Sequence, residues 1–196
     1  MPRSKQAEEG RWFAVDFANT TACPACQGTD AFASLPDARA WVRRRAPTEV
    51  GPLRASDLPT LRRFRDQLVR LFDAVADGSA PPSSALTSLN RAARIALPHP
   101  ELIRTVHGCE VVERGVEERL PRRLTALAAR SVMGLLHGPS PERIRRCLGP
   151  GCVHFLVAPT ASQRWCSPTG CGNRARVQRH YRKLRARRDR RKGRAR

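Results

Sequence analysis

The sequence predicts an α+β fold: a mainly helical N-terminal domain with a small β-hairpin, then a treble-clef-like module built on four cysteines and a basic C-terminal helix. Three observations lead there. Apolar residues recur at spacings of three and four through much of the first 137 positions, as helices with one buried face require. Cys147, Cys152, Cys166 and Cys171 form two matched C-x4-C pairs. Thirteen Lys and Arg against the single acid Asp189 follow Cys171, so +12 of the formal net charge of +20 lies in the last 25 residues.

The elements follow in chain order. Residues 11–19 form a short apolar segment that fits either a helix or a strand. Ser34, Asp37 and the run to Arg45 read as a capped helix. After Ser56, the positions Leu58, Leu61, Phe64, Leu68, Leu71, Phe72 and Val75 make one buried stripe, with Arg62, Arg63, Asp66 and Arg70 on the solvated side. Residues 78–83 (GSAPPS) are a linker, and Leu86, Leu89 and Ala93 begin another helix. Residues 101–107 and 109–116, rich in β-branched side chains, predict a hairpin turning at Gly108. A long helix follows from Leu120 to His137, apolar at Leu124, Leu127, Ala128, Met133 and Leu136. Gly138-Pro-Ser-Pro141 ends it and divides the chain into domains 1–139 and 140–196. A length of 196 residues, 40% of them hydrophobic, suits one domain of ordinary size plus a small module.

The cysteine spacing argues for a metal. Two thiolates on a turn and two more after a hairpin-sized interval can converge on one tetrahedral zinc ion at ~2.3 Å per bond. Gly149, Pro150 and Gly151 supply the turn, and glycine reaches backbone angles that cost other residues energy. Ser167-Pro168 reads as a helix N-cap followed by proline, placing Cys171 near a helix start. Four thiolates around Zn²⁺ carry a formal charge of about −2, which Arg146, Arg164 and Arg174 are placed to offset. The competing reading is two disulfides. Beyond Cys171, Val177, Tyr181 and Leu184 form a narrow apolar edge suited to docking on Trp165 and Phe155. The other faces carry Arg174, Arg176, Arg179, Arg182, Lys183 and Arg185, and arginine suits bidentate contact with phosphate and guanine. Asn173 either pairs with an adenine edge or caps backbone near the metal. Arg187 to Arg196 read as a tail that attracts phosphate without reading bases, and like charges at i and i+4 make it fray without a partner.

These residues also carry a resemblance. Trp165 to Arg174, W-C-S-x3-C-G-N-R, resembles the signature of the bacterial CGNR zinc-finger proteins, with Cys147 and Cys152 where that family has its first ligand pair. Phe13 to Thr20 (FAVDFANT), Asp30 and the helix bearing Trp41 are similar to the ABATE domain that precedes that finger. The resemblance implies a stress-induced transcription regulator that binds DNA. Two departures stand out: Val157 where an aspartate is expected and Pro168 where methionine is usual. Neither removes a ligand.

Cys23 and Cys26 form a separate C-x-x-C, read either as a reduced pair, as a redox site, or as half of a second metal site with His107 and Cys109. A thioredoxin-like oxidoreductase would need a βαβ pattern around the motif, and the sequence has none. His154 lies inside the finger, where four cysteines already satisfy one ion. Asp16 and Asn19 either line a small-molecule pocket or tie backbone. Phosphate-binding glycine loops, G-x-S-x-G and H-E-x-x-H are absent, which argues against an enzyme. With no apolar run of about 18 residues and no secretory leader, a soluble, cytoplasmic protein is expected. The expected function is zinc-dependent DNA binding, with an N-terminal domain sensing a small-molecule effector or stress. Binding of structured RNA is the alternative.

Overall fold

The computed structural model describes residues 12–46, 51–95, 99–106, 108–114, 119–137, 144–158, 160 and 162–193. Six helices and two short antiparallel sheets are present among them: α1 (Phe13–Ala18), α2 (Leu35–Arg45), α3 (Leu58–Asp77), α4 (Ser83–Ala93), β1 (His99–Thr105), β2 (Gly108–Arg114), α5 (Leu120–Leu136), β3 (Ile144–Arg146), β4 (Phe155–Val157) and α6 (Cys171–Gly193).

The segment that fitted helix or strand is helical, and α1 is almost wholly buried. Its Phe17 meets Phe13, Phe32, Trp41 and Phe64 edge-on or nearly so, with ring centroids 5.2–6.2 Å apart. Such tilted contacts place positive ring edges on negative ring faces. Ser34 caps α2 by accepting from the Asp37 backbone N–H. The α3 stripe is buried from Leu58 to Phe72 as its spacing requires. Arg65, also on α3 and buried, donates to Asp30 at 2.7 Å, and Asp30 accepts from the Phe32 backbone N–H at 2.7 Å. That ion pair fixes residues 20–32, including Cys23 and Cys26, against α3.

Three details differ from the sequence reading. In α4 the buried face is Ala85, Leu89 and Ala92, and Leu86 is exposed, because the helix begins at Ser83 and turns that face by one position. In α5 Val132 and Leu135 are buried, whereas Met133 is partly exposed. The hairpin turns one step earlier than Gly108. Thr105 pairs with Gly108, so Gly108 opens the second strand and the turn precedes it. The hairpin's Leu102, Val106 and Val111 are exposed. The Gly-Pro-Ser-Pro boundary at 138–141 lies outside the described residues.

The cysteine module is joined to the helical body through its first hairpin. Strands of three residues cannot bury a face of their own, and β3 and β4 instead place Ile144 and Phe155 in the main apolar core. Phe155 stacks against Phe72 of α3 at 5.4 Å. Arg146, expected beside the thiolates, turns the other way and bridges Asp73 and Asp77 of α3. The carboxamide of Asn19 clasps β4: its Nδ2 donates to the Phe155 carbonyl at 2.8 Å and its Oδ1 accepts from the Phe155 N–H at 2.8 Å. Asn19 therefore ties backbone, the second of its two expected roles. Asp16 is half-buried beside Arg45 at 3.5 Å, and burial raises its pKa against the opposing effect of Arg45.

Candidate metal centre

The Sγ atoms of Cys147, Cys152, Cys166 and Cys171 all lie within 4.8 Å of one another. Cys147 follows β3, Cys152 follows the turn, Cys166 lies in the loop after β4, and Cys171 is the first residue of α6. Sulfur separations of 3.8 Å for Cys152–Cys166 and 3.6 Å for Cys166–Cys171 suit thiolates around one tetrahedral ion.

The backbone around the site is shaped for it. A Cβ at Gly149 would fall 2.7 Å from the Cys171 Cβ and 2.9 Å from its sulfur, so only glycine lets the turn pass over the cluster. Gly151 has φ of +67°, a left-handed conformation that favours glycine. The Gly149 and Cys166 backbone N–H groups donate to Cys147 Sγ at 3.4 and 3.3 Å. A hydrogen bond from the Cys166 thiol, aided by these two amides, draws the Cys147 pKa down to about 4. Donation to Cys147, with burial, pushes Cys166 well above the ordinary thiol range. Burial pushes Cys152 up to about 11. The protein's dipoles thus stabilise one thiolate here, and four together require a cation.

Arg174 supplies part of the countercharge. Its Nη2 donates to Cys171 Sγ at 3.1 Å and to Cys26 Sγ at 3.4 Å, so its guanidinium faces sulfur rather than a groove. Trp165 lies in the module's small core, where Gly172 packs against its ring. Ser167 caps a tight turn before α6 by accepting from the Gly170 N–H, and α6 itself begins later, at Cys171. The edge formed by Val177, Tyr181 and Leu184 is exposed and does not dock on Trp165 or Phe155, because Phe155 is already committed to Phe72. Asn173, Arg176, Arg179, Arg182, Lys183 and Arg185 are exposed as well, with Arg176 donating to the Pro168 carbonyl at 3.2 Å.

The C-x-x-C pair has different neighbours from those expected. Cys23 and Cys26 are joined as a disulfide on a 3₁₀ turn. A second group within 4.8 Å consists of Cys23, Cys26, Cys152 and His154. Cys109 is exposed on β2 and belongs to neither group, and His107 lies outside the described residues. Cys152-Val-His154 is the one local signal for this arrangement, since alternate residues of an extended segment point the same way.

A thiolate cluster that can hold a metal thus sits at the root of an arginine-rich helix, on a mainly helical body. Residues 143–191 match the family model of the CGNR zinc finger. Residues 12–139 match the ABATE model, described as "Putative stress-induced transcription regulator", and the chain belongs to that family. Both are regulatory or zinc-finger families and neither is catalytic. No curated protein matches the chain. Among the described residues, no helix is long and apolar enough to cross a membrane.

Proposed function

We propose that this protein is a zinc-dependent DNA-binding transcription regulator. In this reading residues 140–196 form the DNA-binding part, residues 1–139 form the sensing part, and Cys147, Cys152, Cys166 and Cys171 hold one zinc ion. The observation that carries the reading is the exposure of α6. The helix starts on a ligand, and its described side chains from Arg176 to Ala186 are all exposed. At 1.5 Å per residue its 23 residues extend ~34 Å. A helix anchored only at its metal end and clothed in arginine fits a major groove about 12 Å wide. Asn173, exposed beside the metal-fixed end, is assigned to a base edge in this reading, with Arg176 next to it. Arg179, Arg182, Lys183 and Arg185 meet phosphates. Arg174, which donates to sulfur, steadies the metal end instead. An open cleft of about 650 Å³ between α3, α4 and α5, lined by Asp57, Arg63, Gln67 and Ser88 among others, offers the body a place for an effector.

A binding selection from random duplexes at two salt concentrations tests this. Deleting 186–196 should weaken binding to every duplex alike and flatten the salt dependence by about 0.9 per lost phosphate contact. Asn173→Ala, with zinc content unchanged, should relax preference at one base pair by about 1–3 kcal/mol. If the deletion erased preference while Asn173→Ala kept it, the reading element would be the tail. Tighter binding to folded RNA than to any duplex would make RNA the partner.

A further inference from the structure

Cys152 belongs to both cysteine groups. Its Sγ lies 3.8 Å from Cys166 in the first group and 3.4 Å from Cys26 in the second. Cys26 is also 3.8 Å from Cys171. The C-x-x-C turn therefore sits against the finger rather than apart from it, and the contact is close on the backbone side too. A Cβ at Gly151 would fall 3.0 Å from the Ala25 Cβ.

His154 completes the second group. Its Nε2 is 3.3 Å from the Thr21 carbonyl. A carbonyl can only accept, so Nε2 carries the proton and Nδ1 is the ring nitrogen that keeps a lone pair. Ligating histidines are commonly oriented in this way by a hydrogen bond from the other ring nitrogen. Three sulfurs and one imidazole nitrogen are a ligand set that suits zinc.

We propose that Cys23, Cys26, Cys152 and His154 bind a second zinc-class ion when the C-x-x-C pair is reduced, with the Cys152 thiolate bridging the two ions. Thiol–disulfide exchange with a low-molecular-weight dithiol reduces the pair: the dithiol leaves as its own disulfide and Cys23 and Cys26 become thiols, each of which releases its proton to solvent on ligation. Disulfide and second ion are mutually exclusive, since ligation needs both sulfurs as thiolates. Six thiolates and two divalent ions give a formal charge of about −2. Arg174 Nη2, donating to Cys26 and Cys171, sets one positive charge between the two groups. The second ion would fasten residues 20–32 of the body to the finger, so loading would depend on thiol redox state. The bridge rests on Cys152 also serving the first ion, whereas the second site itself does not.

The test is metal content of the full chain, purified with zinc present and kept reduced by a phosphine. Wild type should hold two zinc equivalents. Cys23→Ser and His154→Ala should each hold one, Cys109→Ser two, and Cys166→Ser should lose the first ion while zinc stays sensitive to Cys23→Ser. Without mutation, wild type whose Cys23–Cys26 disulfide has been verified by mass spectrometry should hold one equivalent and regain the second on reduction. With ¹¹³Cd in place of zinc, reduced wild type should give two resonances with ¹¹³Cd–¹¹³Cd coupling through the shared sulfur. One equivalent in reduced wild type, or two that persist in Cys23→Ser and in the oxidised protein, would overturn the second site. Two uncoupled resonances would overturn the bridge.

Discussion

The helical body and the cysteine module are held together by different means. In the body Phe17, Phe32, Phe72, Leu61, Leu68, Leu71 and Leu124 are fully buried, and each side chain of this kind contributes about 1.5–3 kcal/mol. Among the described residues, the module's own cluster buries Cys147, Leu156, Ala158 and Cys171. Ordering its backbone costs about 1–2 kcal/mol per residue, which so small a cluster cannot offset without a metal. The contrast does not follow the boundary between the two matched families. The first hairpin, β3–β4, shares the body's core through Ile144 and Phe155, whereas Cys166 through the start of α6 packs on the small cluster of cysteines, Leu156, Ala158 and Trp165. Metal dependence should therefore fall on the β3–β4 turn that carries Cys147 and Cys152 and on the chain after β4, and not begin at residue 140.

Removing the metal should separate the behaviour of body and module most visibly. Apparent zinc-binding energies in finger peptides run to about 10–16 kcal/mol, so this is the largest effect expected. Chelation of the reduced protein should abolish amide exchange protection across residues 165–175 and leave protection in α3 and at Phe155 nearly unchanged. Simultaneous loss in α3 would mean that body and module form one cooperative unit.

Phe72→Ala probes the opposite side. The side chain is fully buried and touches Phe155, so truncation should cost about 3–5 kcal/mol. A lowered melting temperature with zinc still bound at the start of the transition would place the damage in the body. A smaller effect is expected from Asn19→Ala, which strips the clasp from both backbone groups of Phe155. The cost should be about 1–3 kcal/mol, and faster amide exchange at β4 with unchanged exchange in α2 would localise it to the junction.

Much of this organisation was legible in the sequence where a local pattern fixes structure. The α3 stripe, the Ser34 cap and the two C-x4-C pairs each depend on residues a few positions apart. The missed features join distant residues. Asn19 reaches Phe155, Arg146 reaches Asp73, and Cys26 reaches Cys152. No periodicity encodes such pairings. The apolar edge at Val177, Tyr181 and Leu184 had the spacing of a docked helix, yet Phe155 had already been taken by Phe72 and Trp165 by Gly172. Spacing shows which residues can share a face, while competition for partners decides whether that face is covered.

On the proposed function, a metal-fixed helix start turns an arginine-rich segment into a reader of DNA. The most direct test is fluorescence anisotropy with one selected and one scrambled duplex at fixed salt, using zinc-loaded, chelated and zinc-restored protein. Zinc-loaded protein should discriminate between the duplexes. Chelated protein should keep a salt-sensitive attraction to both without discrimination, and returning zinc should restore the difference. Equal discrimination with and without metal, or none in the zinc-loaded protein, would contradict the account.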